Sequence, residues 1–418
     1  REVINGSTEI GVKTVEQMIY LERAIEIIIE RVKPLGTEKV CLSQAYKRVL
    51  ANDVRGTIDM PPFDRSPLDG YAYHAQATDR ALLNLKVVCE IPAGVLPERE
   101  IMPGECARIF TGAPIPKGAN CVVRQEDTEI IGDQVRINKP VFPQANIVYK
   151  GEEIKRGDIA LKAGEYLSPA AVGLLASLGI QEVEVYRAPK VGLLATGSEL
   201  QDVGSPLAPG KIYNSNTYTL QGLLLEAGCE VKVAPFVEDQ LEKTVEALRE
   251  LEDTDLVVTT GGASVGEYDL MREALLGAGC ELLFWKVNFK PGTPVALGAK
   301  GDRLYFALSG NPAAAVVNFE LLVRPALRRL KGLKAQTETF PVYMDGDFGK
   351  SSRQKRFLRA KAVFRDGEIW ADPSYAQSSG ILRSMKDSNL LVEVPSGHGP
   401  VQKGEKLQAR WIVVGEEN

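Results

Sequence analysis

The stretches PKVGLLAT (189–196), TDLVVTT (254–260) and RLYFALS (303–309) repeat one pattern, a short apolar run that leads into a glycine-rich turn. Each run has the length and composition of a strand that is buried on both faces. Helical patterns lie between and after them, as in AAAVVNFELLVRPALRRL (313–330). This alternation predicts βαβ units and a largely parallel, doubly wound sheet over residues 188–333.

The segments on either side have other patterns. Residues 14–33 carry apolar residues at helical spacing and predict an amphipathic helix. Short apolar runs separated by Pro and Gly over 56–165 predict antiparallel β structure, and the residues 168–180 predict a helix. After Gly332 the pattern returns to short strands, which predicts a small β-barrel or sandwich. We therefore expect several domains.

Composition and charge exclude some function classes. With 50 Lys and Arg against 55 Asp and Glu, the net charge of -5 suggests no nucleic-acid partner. The 6 scattered Cys and 2 His argue against a disulfide framework, a structural zinc site and a Ser-His-Asp mechanism. No apolar run approaches the roughly 18 residues of a membrane-spanning helix, and no signal-peptide pattern follows Arg1. We expect a soluble, cytoplasmic protein with no membrane partner.

The turns after the three apolar runs are the first candidates for a ligand site. In open α/β sheets, ligands bind beyond the carboxyl ends of the strands, where glycines expose backbone N–H groups and helix N-termini favour anions. One such turn can be a tight connection and nothing more, but three on one sheet edge favour a phosphate-bearing ligand. Asn311 and Pro312 also predict a helix start, with the Asn as cap. The turns are Thr196-Gly197-Ser198-Glu199, Thr260-Gly261-Gly262-Ala263-Ser264 and Ser309-Gly310-Asn311-Pro312.

Charged residues beside these turns suggest two kinds of contact. If WKVNFKPG (285–292) is extended, Lys286 and Lys290 share one face of a strand, and two ammonium groups there suit a small oxyanion. Two solvated lysines on a surface strand would give the same sequence. Glu199 and Asp269 follow glycine turns, where they can hold Mg²⁺ beside a diphosphate or act only as partners of a helix dipole.

Seven motifs together resemble those of one known family, the MoeA-type molybdopterin molybdenumtransferases, which includes the C-terminal domain of gephyrin. They occur in the family's order and cover the chain from about residue 15 to 415. One such motif would be weak evidence, whereas seven in register are specific. The motifs are PPFDRSPLDGYA (61–72), TGAPIP (111–116), TGSEL (196–200), GKIYNSN (210–216), TTGGASVGEYD (259–269), KVNFKPGTP (286–294) and ALSGNPAAAV (307–316).

The resemblance implies a homodimer with four parts in each subunit. It further implies that adenylylated molybdopterin binds with molybdate and Mg²⁺, that the phosphoanhydride is cleaved, that AMP leaves and that molybdenum is delivered to the dithiolene. The implied partners extend to the molybdopterin adenylyltransferase and to target molybdoenzymes. The parts are an N-terminal dimerisation domain of helix and strands (1–60 and 145–187), an inserted β domain (61–144), an α/β molybdopterin-binding domain (188–333) and a C-terminal β-barrel (334–418).

Phosphoanhydride cleavage depends mainly on positioning and charge neutralisation, so lysines, carboxylates, Mg²⁺ and backbone amides can perform it without His. Carried over by position, the resemblance makes Asp69, Glu199 and Asp269 members of the catalytic acidic cluster, the last two also metal ligands. It makes Lys286 and Lys290 catalytic oxyanion binders. The substrate-binding residues would be Thr111, Gly197, Ser198, Asn214, Gly261, Gly262, Ser264, Ser309, Gly310, Asn311, Arg359 and Ser379.

The chain departs from the family pattern at four places. Asn214 stands where the family usually has Asp, Thr293 replaces a Lys, Ala314 replaces a Ser and Glu153 replaces an Asp. Losing a carboxylate weakens metal binding or removes a base, and losing a lysine weakens oxyanion binding. A divergent paralogue that inserts tungsten and a non-catalytic molybdopterin-binding scaffold remain alternatives. A nucleotide pyrophosphatase that shares only the α/β domain does not explain the motifs on both sides of it.

Overall fold

The computed structural model describes residues 15–76, 82–262, 270–373 and 376–412. The chain divides into two compact units, one formed by residues 1–38 and 186–418 and the other by residues 39–185. Asp269 and Ser264 lie outside the described residues. Among the residues described, no helix has the length and apolar character needed to cross a membrane.

A seven-stranded sheet forms the centre of the first unit. Its three predicted strands are parallel neighbours, and Ala195, Thr260 and Leu308 align in register at their carboxyl ends. One strand, Ala296–Lys300, runs antiparallel to both of its neighbours, so the sheet is largely but not wholly parallel. In spatial order the strands are Glu16–Ile19, Glu281–Val287, Ala296–Lys300, Arg303–Leu308, Leu256–Thr260, Lys190–Ala195 and Glu230–Val233.

Helices cover both faces of this sheet, which confirms the doubly wound prediction. Successive residues of a strand point to opposite faces, and accordingly Leu193 packs into one apolar core while Leu194 packs into the other. Burial on both faces explains why these strands are continuous apolar runs. The helices of this unit are Leu21–Arg31, Ser215–Glu226, Leu241–Glu250, Leu270–Gly277, Pro312–Asn318, Arg324–Leu330 and Arg383–Lys386, with a π-helical turn at Phe319–Val323.

The helix predicted over residues 14–33 is wrong in its first part. Glu16–Ile19 is a strand that pairs in parallel with Glu281–Val287, and the helix begins at Leu21 and ends at Arg31. Apolar residues four apart share a face in a strand as well as in a helix, so the spacing of Val15 and Ile19 did not distinguish the two. Sheet pairing satisfies the backbone N–H and C=O groups of these residues at the sheet edge.

The C-terminal region forms a closed five-stranded barrel, as predicted. Lys355–Arg365 pairs with both Glu368–Asp372 and Leu390–Val394, and this double pairing closes the barrel. The short strand Phe289–Lys290, which leaves the central sheet, adds to the barrel in parallel with Lys355–Arg365. The remaining barrel strands are Phe340–Met344 and Lys406–Trp411, and a separate two-stranded pair joins Leu200–Gln201 to Ile212–Tyr213.

The second unit, residues 39–185, contains a six-stranded sheet. Its pairs are antiparallel as predicted, except that Leu83–Ile91 and Glu105–Ile109 are parallel. Helix Pro169–Ser177 begins as predicted, because the Ser168 hydroxyl accepts a hydrogen bond from the Ala171 amide at 3.2 Å. The other strands of the sheet are Cys121–Arg124, Gly70–Tyr73, Gln134–Ile137 and Thr128–Ile131. Val54–Arg55 pairs with Ile159–Leu161, and 3₁₀ turns lie at Leu42–Gln44 and Gln125–Asp127. A further pair joins Thr37–Cys41 to Glu182–Tyr186, the two strands in which the chain enters and leaves this unit.

Candidate functional site

The three glycine turns meet at one edge of the central sheet, as predicted. The Thr260 hydroxyl donates to the Ser309 carbonyl at 3.1 Å, and the Thr196 amide donates to the Thr260 carbonyl at 2.9 Å. A Cβ atom on Gly261 would lie 1.9 Å from the Thr196 carbonyl oxygen, and one on Gly310 would lie 3.3 Å from the Gly261 Cα. Glycine is therefore required at position 261, and Gly310 packs closely against it.

Asn216 holds these turns together, and the sequence did not single it out. Its side-chain amide donates to the Thr260 hydroxyl at 2.9 Å and to the Gly310 carbonyl at 2.8 Å. The residue sits in the first turn of helix Ser215–Glu226. Its position at the start of a helical pattern could have indicated such a role. Asn is a poor helix former, and its side-chain amide readily hydrogen-bonds to other groups.

A small pocket of about 50 Å³, here called the turn pocket, opens between these turns. The exposed carboxylate of Glu199 lies directly over Gly197, where a Cβ atom would be 2.5 Å from it. Ser198 instead turns to Asp239, with two hydrogen bonds of 3.1 Å. The pocket is lined by Ala195, Thr196, Glu199, Leu200, Ile212, Tyr213, Asn214, Ser215, Asn216, Thr260, Gly261, Gly310 and Pro312.

Asn214, a predicted substrate-binding residue, lines the turn pocket and also caps a helix. Its side-chain oxygen accepts a hydrogen bond from the Thr217 amide at 3.3 Å, and the residue is buried. Capping explains why a short polar side chain is needed here. An aspartate can make the same cap and would add one negative charge at a helix N-terminus.

Replacing Asn214 by aspartate is therefore expected to leave the melting temperature equal or slightly higher, since the cap is kept. Asn214→Ala, in contrast, should lose about 1 kcal/mol of stability. In the activity proposed below, the added carboxylate of Asn214→Asp should lower the Mg²⁺ concentration needed for half-maximal turnover. Thermal melts and Mg²⁺ titrations of the two variants test this. Lost activity in a stable Asn214→Asp protein would contradict it and would mean that the site is built around an amide.

A second pocket of about 250 Å³, the barrel pocket, lies where the central sheet meets the barrel. The turn Ser309-Gly310-Asn311 contributes to both pockets. Four predicted site residues line the barrel pocket, namely Lys290, Ser309, Asn311 and Ser379. The rest of its lining is Pro291, Gly292, Thr293, Pro294, Ala314, Arg356, Phe357, Leu358 and Gln377.

The helix start at Asn311 and Pro312 is confirmed, but the predicted cap is wrong. The helix begins at Pro312 with Asn311 in the cap position, yet the Asn311 side chain makes no capping hydrogen bond. Proline at the first helical position lacks an N–H group, which lowers the need for a cap. The Asn311 side chain thus stays available on the wall of the barrel pocket.

The two lysines do not share one face of one strand, so that geometric prediction is wrong. Lys286 has φ +66°, and its strand ends at Val287, whereas Lys290 belongs to the barrel-side strand Phe289–Lys290. The left-handed backbone at Lys286 breaks the alternation on which the prediction depended. Its ammonium lies 3.9 Å from the centre of the Trp285 ring. Of the two, Lys290 lines the barrel pocket.

Arg359 is fully buried beneath the barrel pocket lining. Its guanidinium donates to the Ser384 hydroxyl at 3.1 Å and to the carbonyls of Ala376 and Ser378 at 3.2 and 3.0 Å. Burial lowers the pKa of Arg359 to about 10, and the nearby charge of Arg356 acts in the same direction. Arg359 is not among the lining residues, whereas Arg356 is.

Asp69 and Thr111 lie together in the second unit. One carboxylate oxygen of Asp69 accepts hydrogen bonds from the Thr111 amide and the Thr111 hydroxyl, both at 2.8 Å. These two bonds hold the pKa of Asp69 below its usual value, so its carboxylate is ionised at neutral pH. The role of both residues in a shared site stays a prediction.

The described residues contain no group of three His, Cys, Asp or Glu side chains that could hold a metal ion. This observation leaves the Mg²⁺ prediction untested, because Asp269 falls in the undescribed segment 263–269. Glu199 on the turn pocket offers one carboxylate, and Mg²⁺ in proteins is often held by one or two carboxylates together with substrate phosphates. The donor set present therefore fits a magnesium ion that a diphosphate ligand helps to bind.

These features define a multidomain protein whose doubly wound sheet and adjoining barrel form two pockets that share one turn. The chain belongs to the MoeA family. Its residues 19–179 match the MoeA N-terminal region (domain I and II), residues 192–329 match the probable molybdopterin binding domain, and residues 329–409 match the MoeA C-terminal region (domain IV).

Relatives and solved structures agree over nearly the whole chain. The molybdopterin molybdenumtransferase of Staphylococcus aureus strain Mu50 is 36% identical over 398 residues, covering 93% of this chain and 94% of that protein. The molybdopterin molybdenumtransferase of Bacillus subtilis is 33% identical over 410 residues, covering 96% of this chain and 95% of that protein. The crystal structure of the molybdopterin biosynthesis MoeA protein from Pyrococcus horikoshii OT3 superposes on this chain with a TM-score of 0.79 at 31% sequence identity. The match covers 94% of this chain and 99% of that one.

Proposed function

We propose that this chain is an enzyme of molybdenum cofactor biosynthesis that inserts molybdenum into adenylylated molybdopterin with release of AMP. The proposal is supported by the relatives named molybdopterin molybdenumtransferase, which match almost end to end. The structural observation that carries it is the pair of pockets joined by the turn Ser309-Gly310-Asn311. One pocket offers a carboxylate and glycine turns, and the other offers cations and hydroxyl groups.

The turn pocket is the proposed site of the phosphoanhydride. Glycine turns at the carboxyl ends of parallel strands suit a phosphate group, because backbone N–H groups can approach it closely. Asn216 fixes the spacing of these turns through Thr260 and Gly310. Glu199 would hold Mg²⁺ here, with Asp269 as the second ligand that the resemblance implies. Bound Mg²⁺ neutralises the charge that develops on the phosphate oxygens.

The barrel pocket is the proposed site of molybdate. Lys290 supplies positive charge, and the hydroxyl groups of Ser309 and Ser379 and the side-chain amide of Asn311 supply hydrogen-bond donors. Such a set suits a tetrahedral oxyanion. Because the two pockets share one turn, the proposal has the two substrates bind next to each other, which favours transfer of molybdenum to the dithiolene once the anhydride is cleaved.

AMP release from adenylylated molybdopterin tests the proposal most directly. The wild-type chain with Mg²⁺ should release AMP and form molybdenum cofactor when molybdate is added. Tungstate in place of molybdate tests the alternative of a tungsten-inserting paralogue. Binding of molybdopterin without any AMP release would instead favour the non-catalytic scaffold.

Replacing Lys290 by alanine should raise the molybdate concentration that gives half-maximal activity by about tenfold, because one charged hydrogen bond to the anion is lost. Lys290 is exposed, so the free energy of unfolding should change by less than about 0.5 kcal/mol. Lys361→Ala, an exposed lysine on the barrel outside the pocket, is the matched control. A large fall in melting temperature with an unaltered molybdate dependence would place Lys290 in the structure, not in the site.

The expected assembly and partners remain part of this proposal. A homodimer in the cytoplasm, supplied by a molybdopterin adenylyltransferase and delivering to target molybdoenzymes, is consistent with the family. Sedimentation equilibrium of the full chain tests the dimer, which should have twice the chain mass of 45.6 kDa.

A further inference from the structure

The barrel pocket carries a second positive charge, that of Arg356, which the sequence motifs did not reveal. Two cationic side chains line it, Lys290 and Arg356, and its described lining contains no Asp or Glu. The two residues are register partners on neighbouring parallel strands. Such partners lie about 4.8 Å apart and project to the same side of the sheet. The strand pairing therefore aims an ammonium and a guanidinium at one space.

Arg356 is partly buried without a described counter-ion. Its Nε atom is buried and has no hydrogen-bond partner among the described residues. Its guanidinium lies 5.1 Å from the centre of the Phe348 ring, and burial lowers the pKa of Arg356. A partly desolvated guanidinium with an unpartnered nitrogen is unfavourable in the ligand-free protein, and groups of this kind are concentrated at binding sites.

Arg359 differs from Arg356 in its burial, its position and its number of hydrogen bonds, although burial also lowers its pKa and its Nη1 atom is also buried without a hydrogen-bond partner among the described residues. It is fully buried, it does not line the pocket, and three of its hydrogen bonds go to Ala376, Ser378 and Ser384. These bonds hold the segment that carries Ser379. The Ser379 carbonyl in turn accepts a hydrogen bond from the Ala313 amide at 3.0 Å. Arg359 therefore supports the pocket wall, and of these two arginines only Arg356 lines the pocket.

We propose that Arg356 contacts the oxyanion directly and that the Lys290–Arg356 pair matches the two negative charges of a tetrahedral dianion such as molybdate. The inference rests on the proposed function and adds a specificity-determining residue to it. A guanidinium can donate two parallel hydrogen bonds to one face of a tetrahedral oxyanion, which a lysine cannot. The pocket should accordingly prefer dianions over monoanions of similar size.

The affinity of the full chain for molybdate, and separately for tungstate, is measured by equilibrium dialysis at constant ionic strength. Arg356→Gln should weaken binding of the metal oxyanion at least about tenfold. Arg356→Lys keeps the positive charge but loses the planar guanidinium and its paired N–H donors. Its affinity for the oxyanion should therefore lie between those of wild type and Arg356→Gln. Arg353→Gln is the matched control, since Arg353 is exposed just before the same strand and outside the pocket, and its affinity should stay within about twofold of wild type.

Thermal melts without ligand separate contact from structure. The melting temperature of Arg356→Gln should equal or exceed that of Arg353→Gln, because an unpaired charge has been removed. A melting temperature well below the control would assign Arg356 a structural role and overturn the inference. Unchanged oxyanion binding by Arg356→Gln, with binding lost in Lys290→Ala, would also overturn it while leaving the proposed function intact. Arg356-dependent binding by a wild-type chain that releases no AMP would support the inference and contradict the proposed function.

Discussion

Gly261→Ala is expected to lower the free energy of unfolding by about 3 kcal/mol and the melting temperature by roughly 6–12 °C. Gly261 has φ +98°, a backbone conformation that costs an L-residue about 1–2 kcal/mol. The added Cβ would also meet the Thr196 carbonyl oxygen at 1.9 Å, and rigid backbone must move to relieve this overlap. Because Thr260 and Gly310 are tied to the same turn, the turn pocket should be distorted as well. Chemical denaturation and AMP release measure the two effects.

Gly222→Ala provides the matched control for this prediction. Gly222 lies inside helix Ser215–Glu226 of the same unit, and a Cβ atom there would meet nothing within 4 Å. Alanine in a helix interior is more favourable than glycine by about 0.5–1 kcal/mol, so this variant should be more stable than wild type. Equal stability of the two variants would mean that the contact between the turns relaxes freely and that glycine is not required at 261.

The central sheet could be predicted because its signal is local. Runs such as Leu256–Thr260 contain no charged residue and are buried throughout, since both faces of the strand are covered, and the turn that follows each run contains the glycines that its backbone needs. The parallel order of these strands follows from the intervening helices, because parallel neighbours require a crossover connection. The meeting of the three turns at one edge was therefore predictable from residues 188–333 alone.

The errors came from pairings between residues that are distant in the sequence. Glu16–Ile19 is a strand because Glu281–Val287, more than 250 residues later, offers an open sheet edge. Lys286 and Lys290 separate because the chain passes from the central sheet to the barrel at Asn288, after a left-handed residue that is not glycine. No periodicity within either segment carries information about its distant partner.

In the candidate site, too, the residues with a local sequence signal were predicted and those that depend on distant contacts were not. Glu199, Gly261 and Asn311 were found from the turns that carry them, and the structure places all three on pocket walls. Asn216 and Arg356 were missed because their roles depend on contacts with distant segments, Gly310 for the one and the strand Phe289–Lys290 for the other. An arginine in a barrel strand is indistinguishable in sequence from a solvated one until its neighbour is known.

Glu199→Gln is expected to reduce turnover at saturating substrate by about 100-fold or more while leaving the fold intact. The carboxylate is exposed on the turn pocket, and the structure describes no ion pair for it. The substitution should therefore change the free energy of unfolding by no more than about 0.5 kcal/mol. Loss of a charged group that stabilises developing charge commonly costs 10²–10³ in rate. If the carboxylate also holds Mg²⁺, the Mg²⁺ concentration for half-maximal AMP release should rise in the same variant.

Glu238→Gln is the matched control, because Glu238 is an exposed glutamate of the same unit that pairs with Lys243 at 3.5 Å and lines neither pocket. Its turnover and Mg²⁺ dependence should equal those of wild type. The Mg²⁺ titration distinguishes two roles of Glu199. Activity that high Mg²⁺ restores assigns the carboxylate to metal binding, whereas a loss that no Mg²⁺ concentration reverses assigns it to the chemistry of the anhydride. Full turnover in Glu199→Gln at every Mg²⁺ concentration would remove this residue from both roles and leave the acidic function to Asp69 and Asp269.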